Sequence, residues 1–363
     1  MKDRRQVRLA RILVDYSAEV KKGDIVLVEY SDGTPLEFIR EIQTACLERG
    51  AKYVKLNYAN SDLAFNFYRR AHPQQLHYFP VHELQFMKSV NAYIGVGSPW
   101  NNKTLSAIPG EILSARQRLL KPIQARRVDH TRWVITRYPT HSQAQDAGMS
   151  FEDFEDFYFR ACNIDWRKES SRQQKLKLLL GRTKTVRLVA PDTDITLSIV
   201  GMPAIKCDGK RNMPDGEVFT APLLHSAEGH IRYNVPSLYQ GKFFSGVYFE
   251  FKKGKIVAAR ADQGEEHLET LLNTDRGARF IGEFAFGLNK KIRRPILSTL
   301  FDEKIAGSIH LTPGKAYREC DNGNSSAIHW DLVRIMKDGE IYLDGKLVQK
   351  GGKFVLPELK PLN

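Results

Sequence analysis

Apolar and polar positions follow two different rhythms along this chain. In the first half, short β-branched or aromatic runs, "DIVLVEY" (24–30), "AKYVKLNY" (51–58), "NAYIGVG" (91–97) and "RWVITRY" (132–138), are separated by longer stretches with apolar residues at helical spacing. One such stretch, "TPLEFIREIQTACLERG" (34–50), ends on Gly50, a residue type that closes helices. Strands alternating with helices predict an α/β unit with a largely parallel sheet. Residues 142–182 read as helical, and the Phe and Tyr positions of "FEDFEDFYFRA" (151–161) are expected to face a core. After Lys184 the texture changes. "TVRLVAPDTDITLSIVG" (185–201), "FFSGVYFEFKKGKIVAARA" (243–261) and "GEIYLDGKLVQKGGKFV" (339–355) read as hairpins with tight turns. The pattern predicts an N-terminal α/β domain over 1–183 and a C-terminal α+β domain, rich in antiparallel strands, over 184–363.

One run breaks the rule that strand interiors are apolar. In "AIHWDLV" (327–333), His329 and Asp331 share one face of an extended segment, while Ile328, Trp330 and Leu332 take the other. Polar groups aimed inward need partners, so a hydrogen-bonded pair, a counter-charge or a metal is implied. Other segments of the second half repeat the theme. "NMPDGEVFTAP" (212–222) places Glu217 after a turn, and "RFIGEFAFGLN" (279–289) sets Glu283 among aromatics between Gly282 and Gly287. "DEKIAGSIHLTPGKAY" (302–317) carries Glu303, His310 and Tyr317. Taken singly, each has an ordinary structural explanation; Glu303 is either an alternative ligand or base or an ion-pair partner of Lys304 or another cation. Taken together, Glu217, Glu283, His310, His329 and Asp331 supply three carboxylates and two imidazoles. Two catalytic metals that share one carboxylate need five ligating residues of this kind, and the donor set suits zinc, cobalt or manganese.

Composition narrows the alternatives. With 363 residues, 42% hydrophobic and 27% charged, the chain reads as a soluble globular protein of two domains. No apolar run approaches the roughly 20 residues of a membrane span, and the basic N-terminus is interrupted by Arg11 and Asp15, unlike a signal peptide. Cys46, Cys162, Cys207 and Cys320 lie far apart, which argues against a disulfide framework or zinc ribbon and fits a reducing cytoplasm. The net charge of +13 raises the rival of a nucleic-acid-binding protein with a structural metal cluster. Residues 1–183 hold 29 Lys and Arg against 20 Asp and Glu, a net of +9, whereas 184–363 hold 26 against 22. The basic stretches 115–127 and 167–184 have leucines at helical intervals, so they are expected to be solvated helix faces. The "GVG" at 95–97 lacks the third glycine of a dinucleotide fingerprint. "VHELQF" (81–86) likewise lacks the second histidine of a zincin motif. His225 and His230 are weaker candidates that could line a substrate path.

In their order along the chain, "NMPDGEVFTAP", "GEFAFGLN", "DEKIAGSIHLTPGKAY" and "HWDLV" resemble the signature blocks of the thermophilic aminopeptidase family, aminopeptidases T and S. "ILVDYSAEVKKGDIVLVEY" (12–30), "WVITRYPTHSQAQDAGMSFEDFEDF" (133–157) and "DTDITLSIVG" (192–201) extend the resemblance over nearly the whole chain. It implies a dinuclear metalloaminopeptidase of broad specificity acting on peptides as a homodimer with enclosed active sites. Two divalent ions per chain, zinc first and cobalt or manganese otherwise, would be held by Glu217, Glu283, His310, His329 and Asp331. Tyr317 matches the family's active-site tyrosine. Glu217 and Glu283 are both candidates for bridge or general base. The same ligand set would also permit hydrolysis of another bond, such as a phosphoester.

Overall fold

Four parallel strands, Ile25–Ser31, Tyr53–Ala59, Ala92–Gly97 and Arg132–Arg137, appear where the first rhythm predicts them. Tyr53–Ala59 lies at the edge, followed by Ile25–Ser31, Ala92–Gly97 and Arg132–Arg137, and the short Asn212–Met213 closes the other side. Ala92 to Val96 are buried without a break, as befits a central parallel strand covered on both faces. The helix Leu36–Glu48 turns Phe38, Ile39, Ile42, Ala45 and Cys46 inward. Gly50 follows it at φ +80, in the left-handed region. The basic helix Gly110–His130 buries none of its residues, and Arg127 lies over the rings of Tyr93 and Trp133 at 4.8 and 5.1 Å. Its charges are surface and packing groups, in line with the solvated-face expectation.

The computed structural model describes residues 2–363, which form two compact units, 2–164 with 209–214 and 165–208 with 215–363. The stretch read as helical, 142–182, contains three helices, His141–Asp146, Phe151–Cys162 and Trp166–Leu180. In the second of these, Ser150 caps the N-terminus by accepting from the Asp153 N–H, and Phe154, Phe157, Tyr158 and Phe159 are buried. The third belongs to the second unit, whereas the 209–214 segment returns to the first.

The second unit is antiparallel. All three predicted hairpins form, pairing Thr185–Ala190 with Thr193–Ser198, Tyr248–Lys252 with Lys255–Arg260, and Glu340–Leu343 with Lys346–Lys350. They belong to one eight-stranded sheet. A second sheet of five strands runs Leu332–Ile335, Ser308–Pro313, Ile281–Gly287, Glu217–Thr220 and Ile205–Cys207. One face of this smaller sheet, including Val218, Phe284, Phe286, Ile309, Leu311 and Leu332, shares a core with Val186, Leu188, Ile195 and Leu197 of the larger sheet. Strand alternation therefore turns the intervening residues, Glu217, Glu283, His310 and Thr312, to the opposite face.

Candidate metal centre

Register brings the polar residues of that face together. Gly287 lies opposite Glu217, Ala285 opposite both Phe219 and His310, and Thr312 opposite Glu283. The extended segment "AIHWDLV" is less regular than its composition suggests. The strand begins only at Leu332, and His329 pairs through a single bridge with Gly314. The loop before it is held instead by side chains: Asp275 accepts from the Ala327 N–H and Ser326 Oγ, and Asn324 Nδ2 donates to the carbonyls of Gly277 and Gly314. Trp330 still points away from the site. It is 1% exposed, lies against Tyr239, Phe244 and Phe249, and donates from Nε1 to Ser237 Oγ at 2.9 Å.

The two imidazoles meet the two oxygens of one carboxylate. His310 Nε2 is 2.9 Å from Glu283 Oε1, and His329 Nε2 is 3.8 Å from Glu283 Oε2. Glu217 Oε2 stands 3.8 Å from His310 Nε2, and Asp331 Oδ1 stands 3.3 Å from His329 Nε2. Thr312 Oγ1 donates to Asp331 Oδ1 at 2.6 Å. His329 Nδ1 lies 2.7 Å from the Lys315 carbonyl, which can only accept, so Nδ1 carries a proton and Nε2 is the nitrogen turned to the carboxylates. This is the outer-shell arrangement that orients a metal-binding histidine.

Lys304 and Asp215 join the cluster. The Lys304 ammonium is 1% exposed and lies 2.6 Å from Glu217 Oε1, 2.6 Å from Glu303 Oε1 and 3.8 Å from Asp215 Oδ1. Its backbone is brought there by a close approach over Gly287, where a Cβ would meet the Ile305 carbonyl oxygen at 2.2 Å. Asn289 ties the pieces together, its N–H donating to the Lys304 carbonyl and its Nδ2 to the Asp215 carbonyl. Cys207, opposite Glu217 in register, closes this side. Two groups of side chains have ligand atoms all within 4.8 Å of one another: Glu217, Glu283 and His310, and Cys207, Asp215 and Glu217.

The electrostatics reflect crowding of charge in a low-dielectric setting. Burial opposes charge on His310, but its hydrogen bond to Glu283 and the nearby Glu217 outweigh it and hold the imidazole at about 9. His329 is raised to about 10 because Asp331 and Glu283 overcome its burial. Burial acts to raise Asp331 too, yet His329, His310 and the Thr312 donor hold it far below the carboxylate range. Glu283 and Glu303 go the other way. Burial pushes both carboxyls up, against the pull of His310 on the first and Lys304 on the second.

These residues fit a pair of divalent cations. Glu217 Oε2, Glu283 Oε2 and His310 Nδ1 are buried without a hydrogen-bond partner, a costly condition that a bound cation relieves for the two carboxylate oxygens. The carboxyls of Asp215, Glu217 and Glu303 share the Lys304 ammonium, and those of Glu283 and Asp331 face the imidazoles of His310 and His329, so a cation that replaces the imidazole protons meets carboxylate and imidazole donors together. His225 and His230 do not join; their rings pack on Phe280 and Tyr248. Tyr317 lies at the rim, 47% exposed, with its ring 4.6 Å from that of His329 and 5.8 Å from that of Phe219.

A buried carboxylate and imidazole cluster of this kind, on one face of a sheet in an α+β unit, defines a metallohydrolase. The thermophilic metalloprotease (M29) family model matches residues 2–354, and the chain belongs to that family. It is 27% identical to aminopeptidase 2 of Geobacillus stearothermophilus, over 95% of this chain and 94% of that one. Identity to aminopeptidase T of Thermus thermophilus is also 27%, over 88% and 86%. The solved structure of wild-type AmpT from Thermus thermophilus superposes with a TM-score of 0.86 at 25% identity, covering 97% of this chain and 99% of that one.

Lys304, Asp215 and Cys207 are the members of the cluster that the sequence did not single out as site residues. Lys304 entered only as a partner for Glu303. Among the described residues no helix is long and apolar enough to cross a membrane.

Proposed function

We propose that the chain is a metal-dependent aminopeptidase whose two divalent ions, zinc first, are held by Glu217, Glu283, His310, His329 and Asp331. The observation that carries this reading is Glu283, which presents one oxygen to each imidazole. Glu283 would therefore serve both ions, with Glu217 and His310 holding one and His329 and Asp331 the other. When bound, such a pair of ions supplies Lewis-acid polarisation of a carbonyl and an acidified water.

The chain's own groups supply the rest. Glu303 is the proton carrier in this reading: like Glu217 it gives one oxygen to Lys304, but it is not among the five ligands, and burial pushes its carboxyl up. A carboxyl raised in this way takes the proton of the attacking water more readily than an ordinary carboxylate and can return it to the leaving amine. Tyr317, whose phenol is kept protonated by the protein and the carboxylates around it, donates to the oxyanion developing on the scissile carbonyl. The negative cluster attracts the free α-amine of a peptide, which confines cleavage to N-termini. A homodimer completes this reading; Tyr53, Leu56 and Tyr58 of the edge strand are exposed, and the helix Ser61–Arg70 buries no residue.

The test uses chelator-treated protein and a leucyl chromogenic amide. Zinc, cobalt or manganese should restore product release, and the N-acetylated amide should stay uncut. Absence of metal-restored release from every one of several aminoacyl amides would sink the assignment.

A further inference from the structure

The Cys207, Asp215 and Glu217 group has the donors and spacing of a metal site, and it shares Glu217 with the pair of sites proposed above. A thiolate with two carboxylates is a competent zinc set. Yet this corner already contains a cation. The Lys304 ammonium lies 2.6 Å from Glu217 Oε1 and 3.8 Å from Asp215 Oδ1, buried to 1% exposure, with Glu303 Oε1 as its third carboxylate. Three backbone anchors keep it there: the Lys304 N–H donates to the Phe301 carbonyl, the Lys304 carbonyl accepts from Asn289, and Gly287 leaves room for the segment above it.

We infer that Lys304 is a built-in cation that fills the Cys207–Asp215–Glu217 corner and so confines metal to the opposite side of Glu217. It is a positioning residue. By taking Glu217 Oε1, it leaves Oε2, the buried oxygen without a hydrogen-bond partner, as the one directed toward His310. Glu217 is thereby limited to one ion, and Glu283 alone spans two. Lysine suits this task because a compact ammonium with three donors can satisfy three carboxylates converging from different directions. The corner's thiol is left as a neighbour of the site and not a ligand. This inference rests on the ligand assignment proposed above for Glu217.

Two variants and a metal count test it, with cobalt as the probe. Wild-type protein loaded with cobalt should hold two ions per chain and show no thiolate-to-cobalt charge-transfer band in the near ultraviolet. Cys207→Ser should keep both ions and turn over a leucyl amide within about twofold of wild type. Lys304→Ala should gain a further ion and the charge-transfer band, and lose the band again when combined with Cys207→Ser. A band in the wild type, or loss of an ion in Cys207→Ser, would overturn the inference by showing that metal occupies the corner. A folded Lys304→Ala with unchanged stoichiometry and no band would overturn it as well. If Lys304→Ala does not fold, the wild-type spectrum and Cys207→Ser still decide the matter. Failure of the ligand assignment looks different: wild-type protein would then hold no pair of ions at all.

Discussion

Tyr317 and His329 show how finely roles divide within one contact. His329 gives its Nδ1 proton to the Lys315 carbonyl and turns Nε2 inward, so its orientation is set before any ligand arrives. Tyr317 packs its ring on that imidazole and stays partly exposed at the rim. Tyr317→Phe keeps the ring and removes only the hydroxyl. It should lower kcat on the order of 10²-fold with KM little changed and metal content intact. Steady-state kinetics with metal analysis checks this, and an unchanged kcat would remove Tyr317 from the chemistry.

At the scale of elements, the site is the second, also buried, face of strands whose first face is core. Trp330 separates His329 from Asp331 in sequence and anchors both by packing among Tyr239, Phe244 and Phe249. Trp330→Ala should cost about 3–5 kcal/mol of stability and weaken metal retention, because both neighbours lose their register. Denaturant unfolding with and without zinc measures both effects. The same alternation explains what could be read in advance. Glu283 and His310 stand out because ionisable side chains inside apolar strands are expensive. Asp215 and Lys304 did not stand out, since "PDGE" and "DEK" look like ordinary turns. The segment around Lys304 crosses Gly287 through the Glu303 and Ile305 carbonyls, a long-range contact that leaves only a glycine as its trace. The strand expected through His329 was shortened for a related reason. That segment is held by Asp275 from a distant loop and by Asn324 of the loop just before it, rather than by a ladder. The alternating strands and hairpins of both units were legible, because each rests on local periodicity and turn residues.

For the whole molecule, metal, protons and folding are linked. In chelator-treated protein the raised pKa values of His310, about 9, and His329, about 10, lie above the 6.5 of an ordinary histidine. Stabilisation from these protonated imidazoles is complete below about pH 6.5 and is lost as pH rises through about 9 to 10. Metal-bound imidazoles carry no such proton, so the loaded protein escapes this loss. The difference in melting temperature between zinc-loaded and stripped protein should therefore widen from pH 6.5 to pH 9. A difference independent of pH would mean that the two histidines are neutral in the stripped protein or do not bind the metal.

The most direct test of the central claim is anomalous X-ray diffraction at the zinc edge from zinc-loaded crystals. Two peaks are expected per chain, both within bonding distance of Glu283, one also beside His310 and Glu217 and the other beside His329 and Asp331. A single peak, or a peak beside Cys207 in place of one of them, would contradict the account.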